Sequence, residues 1–278
     1  MRKLVKYDLR NGWHNTYYKI GIFVLVIVVI NIIGVNSIKM VIDNNKINAD
    51  ILDYICFVLG GPRYIPEGMF SMYVIPVLWL LIQVGISYTI GYYAMNDLHA
   101  YGQQVLLRSS SRAKWWISKI VWNVTMVSLL YVIIFIVTIV SAQIAGCKWD
   151  WELTTDIARD VCNIDMIAGK SQEILIVLMV MPLLTSITLS LIQMVLALIL
   201  SPMIGFIVVQ SIVILSTIYA KKWLISNYAM LSHNKITCAS DIKYTDGIVI
   251  NVILCLAAFV IGLCYFQRCD ILPKNEEV

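Results

Sequence analysis

The longest apolar run in the sequence covers residues 174–220, about 47 residues without one aspartate, glutamate, lysine, arginine or histidine. As a single helix it would extend about 70 Å, because each residue adds about 1.5 Å, whereas the hydrocarbon core of a bilayer is about 30 Å thick. Pro202 and Gly205, in the segment LSPMIG, provide a break near the middle of the run. The run therefore predicts two membrane-spanning helices joined by a short turn.

Four more segments have the length and apolar character of membrane spans. Only 14% of the residues are charged and the mean hydropathy is +0.80, a composition that cannot cover the surface of a soluble domain. We therefore predict an all-α polytopic membrane protein, one transmembrane domain over residues 1–278. Its six transmembrane helices are expected at about residues 20–38, 70–95, 116–145, 174–199, 203–220 and 247–266.

The placement of basic residues predicts the topology. Five lysines and arginines precede the first span against one acid, Asp8, and four lie between the second and third spans against one acid, Asp97. Basic flanks stay in the cytoplasm, so we expect both termini, the loop between spans two and three and the tail at 268–278 to be cytoplasmic. Residues 1–19 are predicted as an interfacial helix on the inner leaflet, with a solvated basic tail as an equal alternative.

Three outer segments then remain, at about residues 39–69, 146–173 and 221–246. Cys147 and Cys162 bracket the second of them and are candidates for a disulfide if this segment faces an oxidising side of the membrane. The seven cysteines include no CxxC pair and the chain has three histidines, so no metal site is predicted. The acids of the second outer segment would attract cationic peptides or simply be solvated.

Sequence motifs for catalysis by the chain itself are weak. The segment AGKS at 168–171 lacks the first glycine of a phosphate-binding loop, because Ile164 stands in its place, so no bound ATP is expected. The predicted spans hold no central acid, and their uncharged amides would either line a transport pathway or hydrogen-bond neighbouring helices. We expect a protein that is not an enzyme, and the candidate pathway residues are Asn31, Gln83, Asn123, Gln193 and Gln210.

The loop between spans two and three has a helical pattern. Leu98, Tyr101 and Val105 recur at helical spacing, which predicts a short amphipathic helix, and Ser111 is suited to cap the helix that follows. Trp115 and Trp116 are expected at the membrane headgroups, where tryptophan is enriched.

This layout resembles the type-2, six-span membrane subunits (permeases) of ATP-binding-cassette exporters, including those for peptide and bacteriocin export or immunity. The matching elements of the loop are Gly102, the pair Leu106–Leu107, the pair Ser111–Arg112 and Lys119. The sequence departs from the pattern at His99, where glutamate is common, and at Ser109, where proline often stands. The six-span layout extends the resemblance over nearly the whole chain.

The resemblance implies a function and partners. The short helix would be a coupling helix that docks on a separate cytoplasmic ATPase subunit, which binds ATP and Mg, so this chain itself binds no cofactor and no nucleic acid. A second permease chain, the same or related, would complete the pathway in a bacterial plasma membrane, for an amphipathic or apolar peptide or drug. A non-transporting sensor, anchor or assembly subunit is the alternative. The ATPase-coupling residues implied by the resemblance are Tyr101, Gly102, Val105, Leu106, Arg108 and Arg112.

Overall fold

The computed structural model describes residues 1–66, 73–98, 112–164 and 171–268. Over these ranges the fold is all-helical and no strand is present beyond an isolated bridge between Asp50 and Lys148. The helices are α1 (Arg2–Asn45), α2 (Ile51–Leu59), α3 (Val77–Ile90), α4 (Tyr93–Asp97), α5 (Arg112–Ile144), α6 (Thr155–Asp160), α7 (Ser171–Ile199), α8 (Pro202–Ile218) and α9 (Tyr244–Arg268).

Five helical segments are long and apolar enough to cross a membrane: α1, the α3–α4 pair, α5, α7 and α9. The prediction of a membrane protein with several transmembrane helices is thereby supported by length and composition. The predicted fifth span corresponds to α8, which is apolar but has only 17 residues. It begins at Pro202, and the Ser201 hydroxyl caps it by accepting a hydrogen bond from the Ile204 amide at 3.2 Å.

The predicted boundary between an interfacial helix and the first span is absent. Residues 2–45 form one uninterrupted helix of 44 residues, about twice the length needed to cross a bilayer. The sequence offers no proline in this stretch, and Gly12 and Gly21 do not interrupt the helix. The N-terminal residues of α1 do not turn onto a membrane surface, because Asp8, Gly12 and Thr16 are buried against other helices.

Helix α7 lies at the centre of the bundle, where it packs against α5, α8 and α9. Its segment Ile176–Val180 is π-helical and ends two residues before Pro182, which has no amide hydrogen to donate to the helix. The Tyr131 hydroxyl of α5 donates to the Pro182 carbonyl at 2.9 Å and also contacts the Ser186 hydroxyl at 2.8 Å. These bonds join α5 to α7 in the apolar interior.

One end of the bundle is covered by the segments that the sequence assigned to the outer side. Helix α2 is almost entirely buried, and two short 3₁₀ turns, Ile225–Ala229 and Leu231–His233, cover the neighbouring helix ends. The Ser232 amide donates to the Gly60 carbonyl at 3.0 Å, which joins the segment after α2 to these turns. We call the described parts of these three outer segments, residues 46–66, 145–164 and 219–243, the cap. The cap is an integral part of the fold.

Trp115 and Trp116, which the sequence predicts at the membrane headgroups, face other helices of the protein. Both side chains are fully buried in the protein. The Trp115 ring stacks on Phe266 with a centroid distance of 4.5 Å, and the Trp116 indole donates to the Phe259 carbonyl at 3.0 Å. Burial against α9 gains more apolar contact than the interface offers, and Gly262 leaves the space that the Trp116 ring occupies.

Candidate functional site

A buried ion cluster joins three helices at the end of the bundle opposite the cap. The Lys119 ammonium of α5 lies 2.5 Å from Asp8 Oδ1 of α1 and 2.6 Å from Asp97 Oδ2 of α4. The three residues are 0%, 1% and 4% exposed. A lysine is almost never buried to this extent unless it is paired, so the cluster is the principal polar feature of the described interior.

Every carboxylate oxygen in the cluster accepts a hydrogen bond. Asp8 Oδ1 receives bonds from Lys119 and, at 3.3 Å, from the Tyr93 hydroxyl, and Asp8 Oδ2 receives one from the Ser118 hydroxyl. Asp97 Oδ2 accepts from Lys119, and Asp97 Oδ1 accepts from the Asn11 amide at 3.2 Å. Complete pairing of this kind is what makes buried charge tolerable in a low-dielectric interior.

Aromatic rings enclose the ammonium group. Lys119 Nζ lies 4.7 Å from the centroid of the Tyr93 ring and 5.0 Å from that of the Trp115 ring, both within cation–π range. The Tyr93 ring in turn stacks on Trp122 at 3.9 Å. Trp115, Lys119 and Trp122 are four and three positions apart, so they project from one face of α5.

The approach of α1 to this face depends on a small residue. Asp8, Gly12 and Thr16 follow each other at four-residue spacing and are all buried, which gives α1 a narrow polar stripe. A side chain at Gly12 would collide with the Trp122 indole. Gly12 therefore lets α1 pack close enough to α5 for the Asp8 carboxylate to reach Lys119.

The cluster brackets the loop that the sequence singled out. Asp97 is the last residue of α4, just before that loop, and Lys119 lies two turns into α5, just after it. The ion pairs fix both ends of the loop to one another and to α1. If the two ends separated, Lys119 or one of the two carboxylates would be left without its charged partner in apolar surroundings, which is costly.

The predicted ATPase-coupling residues are only partly within the described ranges. Tyr101, Gly102, Val105, Leu106 and Arg108 lie outside them. The guanidinium of Arg112, at the start of α5, donates to the Gln267 carbonyl near the end of α9 at 3.0 Å. The start of α5 is thus tied to the last helix as well as to α1 and α4.

The candidate pathway residues are all buried, and four of them bond to protein groups. Their partners are as follows: Asn31 bonds to the Ile27 carbonyl and Ser141, Gln83 to Ser186, Asn123 to Ser190, and Gln193 to the Ser87 carbonyl. Gln210 has no hydrogen-bond partner for its amide among the described residues. Asn31 borders an apolar groove of about 820 Å³ between α1 and α5. Gln83, Asn123 and Gln193 each bond to a neighbouring helix of the same chain.

The predicted pairing of Cys147 with Cys162 is not present. Both are free thiols, and Cys162 is buried near Cys56 of α2, with its thiol donating to the Asp53 carbonyl at 3.8 Å. Cys147 is half-buried and its sulfur accepts from the Gln143 side chain at 3.4 Å. Cys56 lies on α2, more than 100 residues before Cys162 in the chain. The spacing of Cys147 and Cys162 around one loop could not identify it as a neighbour.

Sequence reasoning missed the ion cluster because it treated all three charges as flank charges that set topology. The available signal was local: Lys119 has tryptophans three and four positions away, an environment in which a solvated lysine is unexpected. Asp8 is likewise the only acid among the first 19 residues and shares a helix face with Gly12 and Thr16. Neither pattern identifies the partner across the fold.

A family model described as "Protein of unknown function (DUF2705)" matches residues 24–272. No curated protein sequence and no solved structure matches the chain.

Proposed function

The chain belongs to the DUF2705 family of proteins of unknown function, and from its own residues we propose that it is the membrane subunit of an ATP-driven exporter. In this proposal a separate cytoplasmic ATPase subunit binds and hydrolyses ATP. The observation that carries the proposal is the buried Asp8–Lys119–Asp97 cluster, which clamps the two ends of the predicted coupling loop.

A loop that conveys force must be attached rigidly to what it moves. The ion cluster supplies that attachment, since Lys119 belongs to the 33-residue helix α5 and Asp8 to the 44-residue helix α1. A displacement of the loop by an ATPase partner would be passed to two helices that reach the opposite end of the bundle. A flexible tether would instead absorb the displacement.

The proposed cycle is a population shift between inward-open and outward-open arrangements. ATP binding to the partner favours one arrangement and hydrolysis restores the other, so energy enters only through the loop. The described interior offers no ionisable group halfway along the apolar helices that would couple transport to an ion gradient. ATP hydrolysis by a separate subunit is therefore the simpler source of energy for transport.

The proposed topology has six membrane segments, with α8 as a short fifth one, and both termini in the cytoplasm. Two permease chains together would form the pathway in a bacterial plasma membrane. The cargo is proposed to be an amphipathic or apolar peptide or drug, because the buried polar side chains outside the ion cluster and the cap are uncharged amides and hydroxyls. The apolar groove between α1 and α5 has a suitable character for such a molecule.

The test is purification of the tagged chain from its native membranes in mild detergent, with identification of its partners by mass spectrometry. We expect a soluble protein with a GxxxxGK[ST] motif in near-stoichiometric amount, together with ATPase activity. Leu106→Asp should remove that partner, because a charge would disrupt the apolar ridge of the coupling helix.

A matched control is Trp149→Asp, which introduces the same charge at an exposed residue of the proposed outer side. This variant should retain the ATPase. Absence of any ATPase from the purified chain, or its retention by Leu106→Asp, would contradict the exporter proposal. In the first case, recovery of a different cytoplasmic protein would favour the sensor or anchor alternative.

A further inference from the structure

Two buried cysteines lie side by side in the cap. Cys56 is on α2 and Cys162 follows α6; they are 1% and 4% exposed, belong to one buried cluster and lie close enough for the Cys56 side chain to raise the pKa of the Cys162 thiol. The Cys162 thiol also donates to the Asp53 carbonyl at 3.8 Å. Both residues line a cavity of about 500 Å³, which leaves room for a small reactant beside them.

The surrounding structure holds these two segments in fixed register. The Thr154 amide donates to Asp53 Oδ1 at 2.9 Å, and the Thr154 hydroxyl donates to Asp53 Oδ2 at 2.8 Å. One turn earlier the Lys148 amide donates to the Ala49 carbonyl at 3.0 Å. Two thiols held in contact by flanking bonds react with each other far more readily than two thiols on independent loops.

We propose that Cys56 and Cys162 form a disulfide that fastens α2 to the turn after α6 on the outer side of the membrane. Each thiol gives up one proton, and the pair gives up two electrons as the new sulfur–sulfur bond forms. The oxidant is the disulfide of an extracytoplasmic thiol oxidoreductase, or a small-molecule disulfide, whose own sulfur–sulfur bond breaks to yield two thiols.

The environment of Cys162 determines how this reaction proceeds. The neighbouring Cys56 side chain and burial raise the pKa of the Cys162 thiol, so little of the attacking thiolate is present at neutral pH. Oxidation should therefore be slow, and the finished disulfide should resist reduction because it is shielded from solvent. The link would close a loop that contains α3 and α5 and would hold their outer ends together.

The experiment traps the thiols of the native protein. Membranes are collected in acid, denatured in detergent and alkylated with N-ethylmaleimide, then digested without reductant and examined by mass spectrometry. We expect the peptide with Cys56 to be linked to the peptide with Cys162, so that two of the chain's seven cysteines escape alkylation. Cys56→Ser and Cys162→Ser should each abolish the link, whereas Cys147→Ser should leave it intact.

Mapping the link in the wild-type protein needs no variant, so a folding defect in either serine variant leaves the result decisive. Alkylation of both Cys56 and Cys162 in native membranes would overturn the proposal, as would a link from Cys162 to Cys147. The experiment requires no ATPase partner. Its failure therefore leaves the exporter proposal standing, and failure of the exporter proposal leaves the disulfide standing.

Discussion

The Lys119 ammonium lies 2.5 Å from Asp8 Oδ1, although 111 positions separate the two residues in the chain. With Asp97, which contacts the same ammonium at 2.6 Å, this ion pair connects the first helix to both ends of the predicted coupling loop. The cluster contains two acids and one base, so loss of the base would leave two carboxylates facing each other.

Lys119→Met should therefore strongly destabilise the fold. Removal of one partner from a buried ion pair costs about 3–5 kcal/mol, because the remaining charges lose their compensation. Thermal unfolding in detergent, followed by tryptophan fluorescence, measures the loss. Lys6→Met is the control, since Lys6 is exposed on α1, the helix that carries Asp8. The triple variant Asp8→Asn, Asp97→Asn, Lys119→Met should recover part of the stability, and equal loss in the single and triple variants would contradict an electrostatic role.

Gly12→Ala should also destabilise the fold. Its new methyl group would collide with the Trp122 indole, and overpacking of this kind costs about 1–3 kcal/mol. The control is Gly21→Ala on the same helix, where nothing lies within 4 Å of the added carbon. That variant should be neutral or slightly more stable, because alanine has the higher helix propensity. Similar effects of the two changes in a detergent unfolding assay would rule out close packing at Gly12.

Asp53 should make the stability of the cap dependent on pH. Burial raises the pKa of Asp53 from 3.8 to about 6, against the opposing effect of its hydrogen bonds with Asp50 and Thr154. The folded state therefore binds the proton more tightly than the unfolded chain does. The protonated Asp53 carboxyl therefore stabilises the folded state most below the pKa of the unfolded chain. This stabilisation is lost as pH rises through about 6, which lowers the free energy of unfolding by up to about 3 kcal/mol.

The measurement is the unfolding temperature of the wild-type protein and of Asp53→Asn between pH 4.5 and pH 7.5, about 1.5 units on either side of the shifted pKa. The wild type should lose stability across this range relative to Asp53→Asn. Asp156→Asn, a change at an exposed acid of the same cap, should follow the wild-type profile. If Asp53→Asn shows the same fall as the wild type, the effect does not originate at Asp53.

Two buried amides should respond differently to replacement by leucine. Asn123 donates to the Ser190 carbonyl at 3.5 Å and accepts from the Ser190 hydroxyl at 2.7 Å, so Asn123→Leu should cost about 1–3 kcal/mol. The amide of Gln210 has no partner among the described residues, so Gln210→Leu should leave stability unchanged or raise it. Denaturant unfolding of both variants tests this contrast, and a larger loss for Gln210→Leu would show that its amide is paired in the assembled protein.

The sequence predicts the helices of this fold better than it predicts their contacts. Long apolar runs with few charges permit little besides spanning helices, so the segments of α5, α7 and α9 are evident from residue types alone. The continuity of α1 was missed because a basic stretch beside a span was assigned to the membrane surface. In the structure it packs instead through Asp8, Gly12 and Thr16.

The contacts that define the candidate site depend on distant parts of the chain. Lys119 is exposed or buried according to what α1 and α4 present to it, and the same applies to Trp115 and Trp116, whose partners lie on α9. The position of Cys162 near Cys56 likewise depends on where α2 packs. Local pattern gives the face on which each residue lies, whereas the identity of its partner is a property of the tertiary fold.

The most direct test of the exporter proposal is photo-crosslinking from the coupling loop in intact cells. A photoreactive phenylalanine analogue replaces Tyr101 in one strain and Trp149, which is exposed on the proposed outer side, in another. The account predicts that position 101 captures a cytoplasmic protein with a GxxxxGK[ST] motif and that position 149 does not. Capture of no such ATPase from position 101, or equal capture from both positions, would contradict it.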